Sequence, residues 1–155
     1  MDQKLNESVV SGTAEIFDGM LGLQTTPGEI KTVPVDSGGV ETSTIISFMG
    51  DVSGAFVLRC SKQVASTIAG EMLGMEVGED SDEMKDSIGE ILNMIVGSTK
   101  SHYSSNNAFK ISVPTTITGA DYTFHIKADP SDTVCRIPFK IGTYELSIDV
   151  YLKGN

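Results

Sequence analysis

The sequence is short of basic residues, cysteine and long apolar runs, and each shortage excludes a class of function. Eleven Lys and Arg stand against 21 Asp and Glu, a net charge of −10, which argues against a nucleic-acid backbone as partner because that needs clustered cations. Cys60 and Cys135 lie far apart without a C-x-x-C spacing, so no thiolate metal site or redox pair is indicated. They are expected to be reduced thiols.

Membrane insertion and secretion are also not indicated. No apolar run approaches the roughly 18 residues that a membrane helix needs. The first residues, MDQKLNES, lack the basic and then apolar profile of a signal peptide. We therefore expect a cytoplasmic protein.

The 155 residues, 39% of them hydrophobic, are enough for one domain with a single substantial core, which we place over residues 1–155. The patterns alternate between helical and extended periodicity. In chain order they predict a helix over 2–21 ended by Gly22, an extended edge arm over 24–40, a hairpin over 40–60, a helix over 61–73, a helix over about 80–105, and three or four strands after it.

This order predicts an α+β fold. Strands on both sides of a helical pair favour a mainly antiparallel sheet of about six strands, with three long helices packed on one face. Pro34 places the arm at an edge, because proline cannot donate to a strand ladder. Ser61 is the predicted N-cap of the second helix, and Gly74 its end.

The third predicted helix, Asp80 to Ser105, has two contrasting faces. At about 100° per residue, Asp86, Asn93 and Gly97 lie within about 60° of Glu90. The opposite side is apolar, with Ile88, Ile91, Leu92 and Ile95. A glycine inside a helix costs about 1 kcal/mol relative to alanine. An amide and a glycine beside two acids suit a surface onto which another molecule docks.

Other chemical readings of these residues are weaker. Asp86 and Glu90 are one turn apart, as two carboxylates of a glycosidase could be, but nothing else indicates a sugar cleft. The acidic run from Glu79 to Asp86 fails as an EF-hand, because Lys85 stands where the loop needs glycine. His102, projected onto the apolar side, and His125 have no paired ligand spacing and are read as structural. No nucleotide-binding or nucleophile-elbow motif is present.

Asp86-x3-Glu90-x2-Asn93 resembles the signature of the CheC/CheX family of chemotaxis phosphatases, CheX more closely than CheC. The segments FVLRCSKQVASTIAGEMLG and ISVPTTITG are similar to its flanking blocks, and the resemblance covers about residues 5–152. CheC-type members carry the signature on two helices. Here the first helix has Glu15-x-x-Asp18, with aspartate in place of the second asparagine, so one site is expected, as in CheX.

The resemblance implies hydrolysis of the aspartyl phosphate on a CheY-type receiver domain. Asn93 would position the attacking water and Glu90 would engage the receiver's lysine, with Asp86 and Gly97 supporting. Gly97 has two open explanations: close approach of the receiver backbone, or helix packing within the protein. The protein would need no cofactor of its own, because the receiver binds Mg²⁺. A homodimer joined through sheet edges is also implied. The alternative is a non-catalytic scaffold that binds receivers or belongs to the flagellar switch.

Overall fold

The computed structural model describes residues 2–34, 40–104, 109–119 and 133–153. Within them it has three helices and eight strands. The helices are α1 (Gln3–Leu21), α2 (Lys62–Leu73) and α3 (Asp82–Tyr103). The strands are β1 (Thr25–Pro27), β2 (Lys31–Pro34), β3 (Thr42–Gly50), β4 (Gly54–Cys60), β5 (Phe109–Ile111), β6 (Thr115–Thr118), β7 (Thr133–Ile141) and β8 (Tyr144–Leu152).

All eight strands belong to one sheet, in the order β1-β7-β8-β4-β3-β5. β2 also pairs with β7, and β6 also pairs with β3. Every pairing is antiparallel. The predicted α+β class and the β3–β4 hairpin are therefore confirmed.

The sheet has eight strands where about six were predicted. The arm forms two short strands, β1 and β2, on either side of residues 28–30. The segment after α3 also divides, into β5 and β6, around residues 112–114, where Pro114 has no N–H to donate. The strand predicted from YTFHIKAD lies outside the described residues, as does His125.

Side-chain caps set where the helices begin. The Ser61 side chain accepts a hydrogen bond from the Val64 amide, and Gly74 ends α2 in the left-handed region at φ 66°, both as predicted. The predicted start of α3 at Asp80 is too early. Ser81 is the N-cap, accepting from the Met84 amide, and Asp80 before it has φ 61°, outside helical geometry.

The core lies between the helices and one face of the sheet. Its largest buried side chains come from α1, α3, the central strand β4 and the edge strand β5, and include Phe17, Phe56, Phe109, Ile88, Ile91 and Leu92. The α1 and α3 helices approach closely at Gly12, where a Cβ atom would lie 2.7 Å from the Thr99 hydroxyl. None of the helices in the described ranges is long and apolar enough to cross a membrane.

Candidate active site on the third helix

The α3 helix divides into a buried and an exposed face along its length. Ile88, Ile91, Leu92 and Ile95 are fully or almost fully buried. On the other side Asp86, Glu90 and Gly97 are exposed, and Asn93 is half-buried between them. All four predicted site residues therefore lie on one accessible face, because 3.6 residues complete each turn.

The polar side chains of this face make no polar contact with one another or with the rest of the described chain. Among the described residues, we find no hydrogen bond or ion pair to the side chains of Asp86, Glu90 or Asn93. An amide that is half-buried and unengaged can both accept and donate a hydrogen bond at the surface. The face is therefore available to a ligand that brings its own donors and acceptors.

The helix is held firmly beneath this face. A Cβ atom at Gly89 would lie 3.3 Å from Pro114 Cγ, so the connection between β5 and β6 packs directly beside Glu90. The Thr116 hydroxyl donates to the backbone carbonyl of Lys85 at 3.3 Å. These contacts were not predicted, although the proline inside ISVPTTITG is a sequence signal for a break there.

The start of α3 is also tied to β6. The Thr118 hydroxyl donates to the Asp80 carboxylate, and Lys85 Nζ lies 3.6 Å from the same carboxylate. The hydrogen bond from Thr118, followed by the positive charge of Lys85, lowers the pKa of Asp80. Both ends of the segment that carries Asp86 and Glu90 are thus fixed before any partner binds, which reduces the ordering that binding requires.

Gly97 has open space where a side chain would stand. Apart from the backbone of α3 itself and the two neighbouring residues, no heavy atom of the described residues lies within 4 Å of a Cβ atom built at this position. Of the two explanations for this glycine, packing within the protein is therefore wrong for the residues that the structure describes. The position lies on the exposed face, one helical turn beyond Asn93.

The same described residues contain no cluster of three or more His, Cys, Asp or Glu side chains that could hold a metal ion. Asp86 and Glu90 are one turn apart on the exposed face, without a third ligand.

Comparison with known protein families identifies the family of this chain. The family model for the chemotaxis phosphatase CheX matches residues 42–140, which include all of α3. The chain belongs to the CheX family. No curated protein matches it.

Solved structures share the fold of this chain. A CheX from Desulfovibrio desulfuricans is 25% identical, with a TM-score of 0.83 over 96% of this chain and 99% of that chain. A CheC-like superfamily protein from Shewanella sp. PV-4 is 20% identical, with a TM-score of 0.84 over 99% and 100%. The CheX–CheY–BeF3–Mg²⁺ complex from Borrelia burgdorferi contains a chain that is 19% identical, with a TM-score of 0.72 over 96% and 97%.

In this CheX-family chain two acids of α1, Glu15 and Asp18, contact neighbouring elements. Glu15 accepts a hydrogen bond from Ser98 Oγ at 2.6 Å and lies 2.8 Å from His102 Nε2. The hydrogen bond from Ser98, followed by that from His102, lowers the pKa of Glu15. Asp18 accepts from the Thr25 amide at 2.8 Å and so closes the turn between α1 and β1.

Glu15 and Asp18 therefore both contact other parts of the fold, and the single CheX-type site stays a prediction. The predicted position of His102 on the apolar side of α3 is wrong, because its side chain is 44% exposed. The projection considered α3 alone. In its last turn α3 lies beside the Glu15 carboxylate of α1. His102 therefore makes a polar contact at a position that the periodicity assigns to the core.

Proposed function

We propose that this protein hydrolyses the aspartyl phosphate of a CheY-type receiver domain, using Glu90 and Asn93 on α3. One observation carries the proposal: in a CheX-family chain, a carboxylate and an amide on the exposed face of α3 have no hydrogen bond or ion pair among the described residues, while the other face of the helix is buried. A pure packing helix has no use for a half-buried amide without a partner, because such a group is costly to desolvate.

The chemistry needs few residues from the phosphatase. An acyl phosphate is already labile, and the receiver supplies a Mg²⁺ ion and a lysine that neutralise the phosphoryl oxygens. The remaining requirement is a water molecule held in line with the P–O bond that breaks. Asn93 can hold it, because an amide accepts from and donates to water without titrating. No cofactor of this protein's own takes part.

Glu90 is assigned to docking. A carboxylate near a phosphoryl group is unfavourable unless a cation lies between them, so Glu90 does not handle the water. One turn from Asn93 on the same face, it accepts a charge-assisted hydrogen bond from the receiver's lysine and so fixes the register of the two proteins. Asp86, a further turn towards the N-terminus, contacts the rim of the receiver.

Two further observations bear on the partner. The Borrelia burgdorferi relative that shares this fold forms a complex with CheY, which supports a receiver of the same type here. The net charge of −10 has the same sign as a receiver's acidic pocket, so long-range steering is weak and specificity resides in the docked helix.

A homodimer joined through a sheet edge belongs to the same proposal. Sedimentation equilibrium tests it, and the mass of a single chain would contradict it.

The test is steady-state dephosphorylation of CheY-type receivers charged by acetyl phosphate with Mg²⁺. Wild type is expected to accelerate phosphate loss. Glu90→Ala removes a charge-assisted hydrogen bond of about 1.5–3 kcal/mol and should raise KM roughly tenfold or more. Asn93→Ala should instead lower kcat, by about 100-fold if the water is no longer positioned.

Glu71→Ala is the matched control, since Glu71 is an exposed acid on α2, a different helix from the one that carries the proposed site. It should behave as wild type. If a receiver binds to wild type and its phosphate lifetime is unchanged, the protein is a scaffold and the α3 face only a docking surface.

A further inference from the structure

We propose that Gly97 is the point at which the receiver's main chain packs against α3, and that docking depends on the missing side chain. The inference rests on the proposed function and extends it by one positioning residue. The role of Gly97 is steric. It makes no polar contact with the reacting groups, and its missing side chain lets the receiver come close enough for Asn93 to reach the water.

The glycines inside helices fall into two groups. Of five such glycines, three face atoms that a Cβ would meet within 4 Å: Thr99 at Gly12, Met75 at Gly70 and Pro114 at Gly89. Close packing within the protein accounts for these three. Gly19 and Gly97 have nothing within 4 Å, so the described residues give no internal reason for either. Only Gly97 lies on the face that carries Glu90 and Asn93.

A side chain at position 97 would point towards Asn93, because of the direction that side chains take on a helix. Each Cα–Cβ bond tilts towards the helix N-terminus, so a side chain covers the surface over the preceding turn. The preceding turn on this face holds Asn93, about 6 Å away along the axis at 1.5 Å per residue. A side chain at 97 would therefore lean over the Asn93 amide, where the proposed mechanism needs the receiver and its water.

Gly97→Ala and Gly97→Leu, compared with Gly19→Ala, test this. Both alanine variants should raise the melting temperature, by roughly 2–4 °C at most, because alanine is the better helix former and meets no atom at either site. Gly97→Ala should nevertheless lower kcat/KM on a phosphorylated receiver about tenfold, mainly through KM, and Gly97→Leu should lower it further. Gly19→Ala should keep the wild-type kcat/KM.

Binding to a receiver loaded with Mg²⁺ and beryllofluoride, which replaces the phosphoryl group, gives a second readout. Weaker binding by Gly97→Ala than by Gly19→Ala, with both variants more stable than wild type, is the expected result. Wild-type kcat/KM and affinity in Gly97→Leu would overturn the role of Gly97 and leave the phosphatase proposal intact. Equal losses of kcat/KM in Gly97→Ala and Gly19→Ala would also overturn it, because they would show a general effect of stiffening a helix. An inactive wild type that binds no receiver removes both proposals.

Discussion

Glu15 and Glu90 are both exposed glutamates on helices, but their surroundings give them different tasks. Glu15 is engaged by Ser98 and His102, whereas no described side chain is hydrogen-bonded to Glu90. The sequence separated them only through the resemblance to a family signature and could not predict the contacts of Glu15, because a helical projection gives the face of a residue and not its neighbours on another element. It did place Asp86, Glu90, Asn93 and Gly97 together, since all four lie on one helix.

The contacts of Glu15 predict an acid-dependent contribution to stability. Because the pKa of Glu15 is lowered in the folded protein from its ordinary value of 4.5, its contribution is present above that pH and is lost as the pH falls through the lower, folded value. Wild type should therefore melt higher than Glu15→Gln near pH 7, and the difference should shrink below about pH 4.5. Melting curves from pH 7 to pH 3 measure this. A difference that stays constant over the range would contradict it.

At the scale of elements, the site depends on how α3 is held. Gly12 lets α1 pack closely against α3. Pro114, in the connection between β5 and β6, and Thr116, in β6, contact α3 near Gly89 and at Lys85. The helices and the β3–β4 hairpin were predictable because their signals are local: periodicity, caps and end glycines. The strand count was not, because strands of three or four residues such as β1 and β5 exist only through pairing with β7 and β3.

Gly12→Ala should destabilise the protein. Its Cβ would lie 2.8 Å from the Thr99 backbone nitrogen and 3.0 Å from the Ile95 carbonyl oxygen, and helix backbone cannot yield as a flexible side chain does. We expect a loss of about 1–3 kcal/mol in the free energy of unfolding, measured by urea denaturation. Gly19→Ala, on the same helix, is the control and should not be less stable than wild type. Unchanged stability in Gly12→Ala would mean that the helices separate without penalty.

On the scale of the whole molecule, a buried ion cluster joins the central strands on the sheet face opposite the helices. Asp149 on β8 is fully buried and accepts two hydrogen bonds from Arg136 on β7, both at 2.8 Å. Arg59 on β4, 3% exposed, lies 3.6 Å from the same carboxylate. These bonds to Asp149 raise the pKa of Arg136. The cluster was not predicted, because Asp149 follows Glu145 and Ser147 on the polar side of an alternating strand, where an exposed acid is expected, and its partners come from other strands.

Asp149→Ala should unfold far more easily than wild type. Removing the carboxylate that Arg59 and Arg136 share breaks two ion pairs, and the loss of one partner from a buried ion pair costs about 3–5 kcal/mol. Urea denaturation measures the change. Glu145→Ala, an exposed acid on the same strand and sheet face, should change stability little. An Asp149→Ala midpoint equal to that of Glu145→Ala would show that the cluster contributes nothing.

The central claim is that Asn93 positions water on a receiver's phosphoryl group. The most direct measurement is the lifetime of the aspartyl phosphate on a CheY-type receiver, in a single turnover with excess phosphatase, so that binding does not limit the rate. Wild type should shorten the lifetime, and Asn93→Ala should restore the receiver's own value while still binding its beryllofluoride form. If Asn93→Ala shortens the phosphate lifetime as much as wild type does, the account is contradicted.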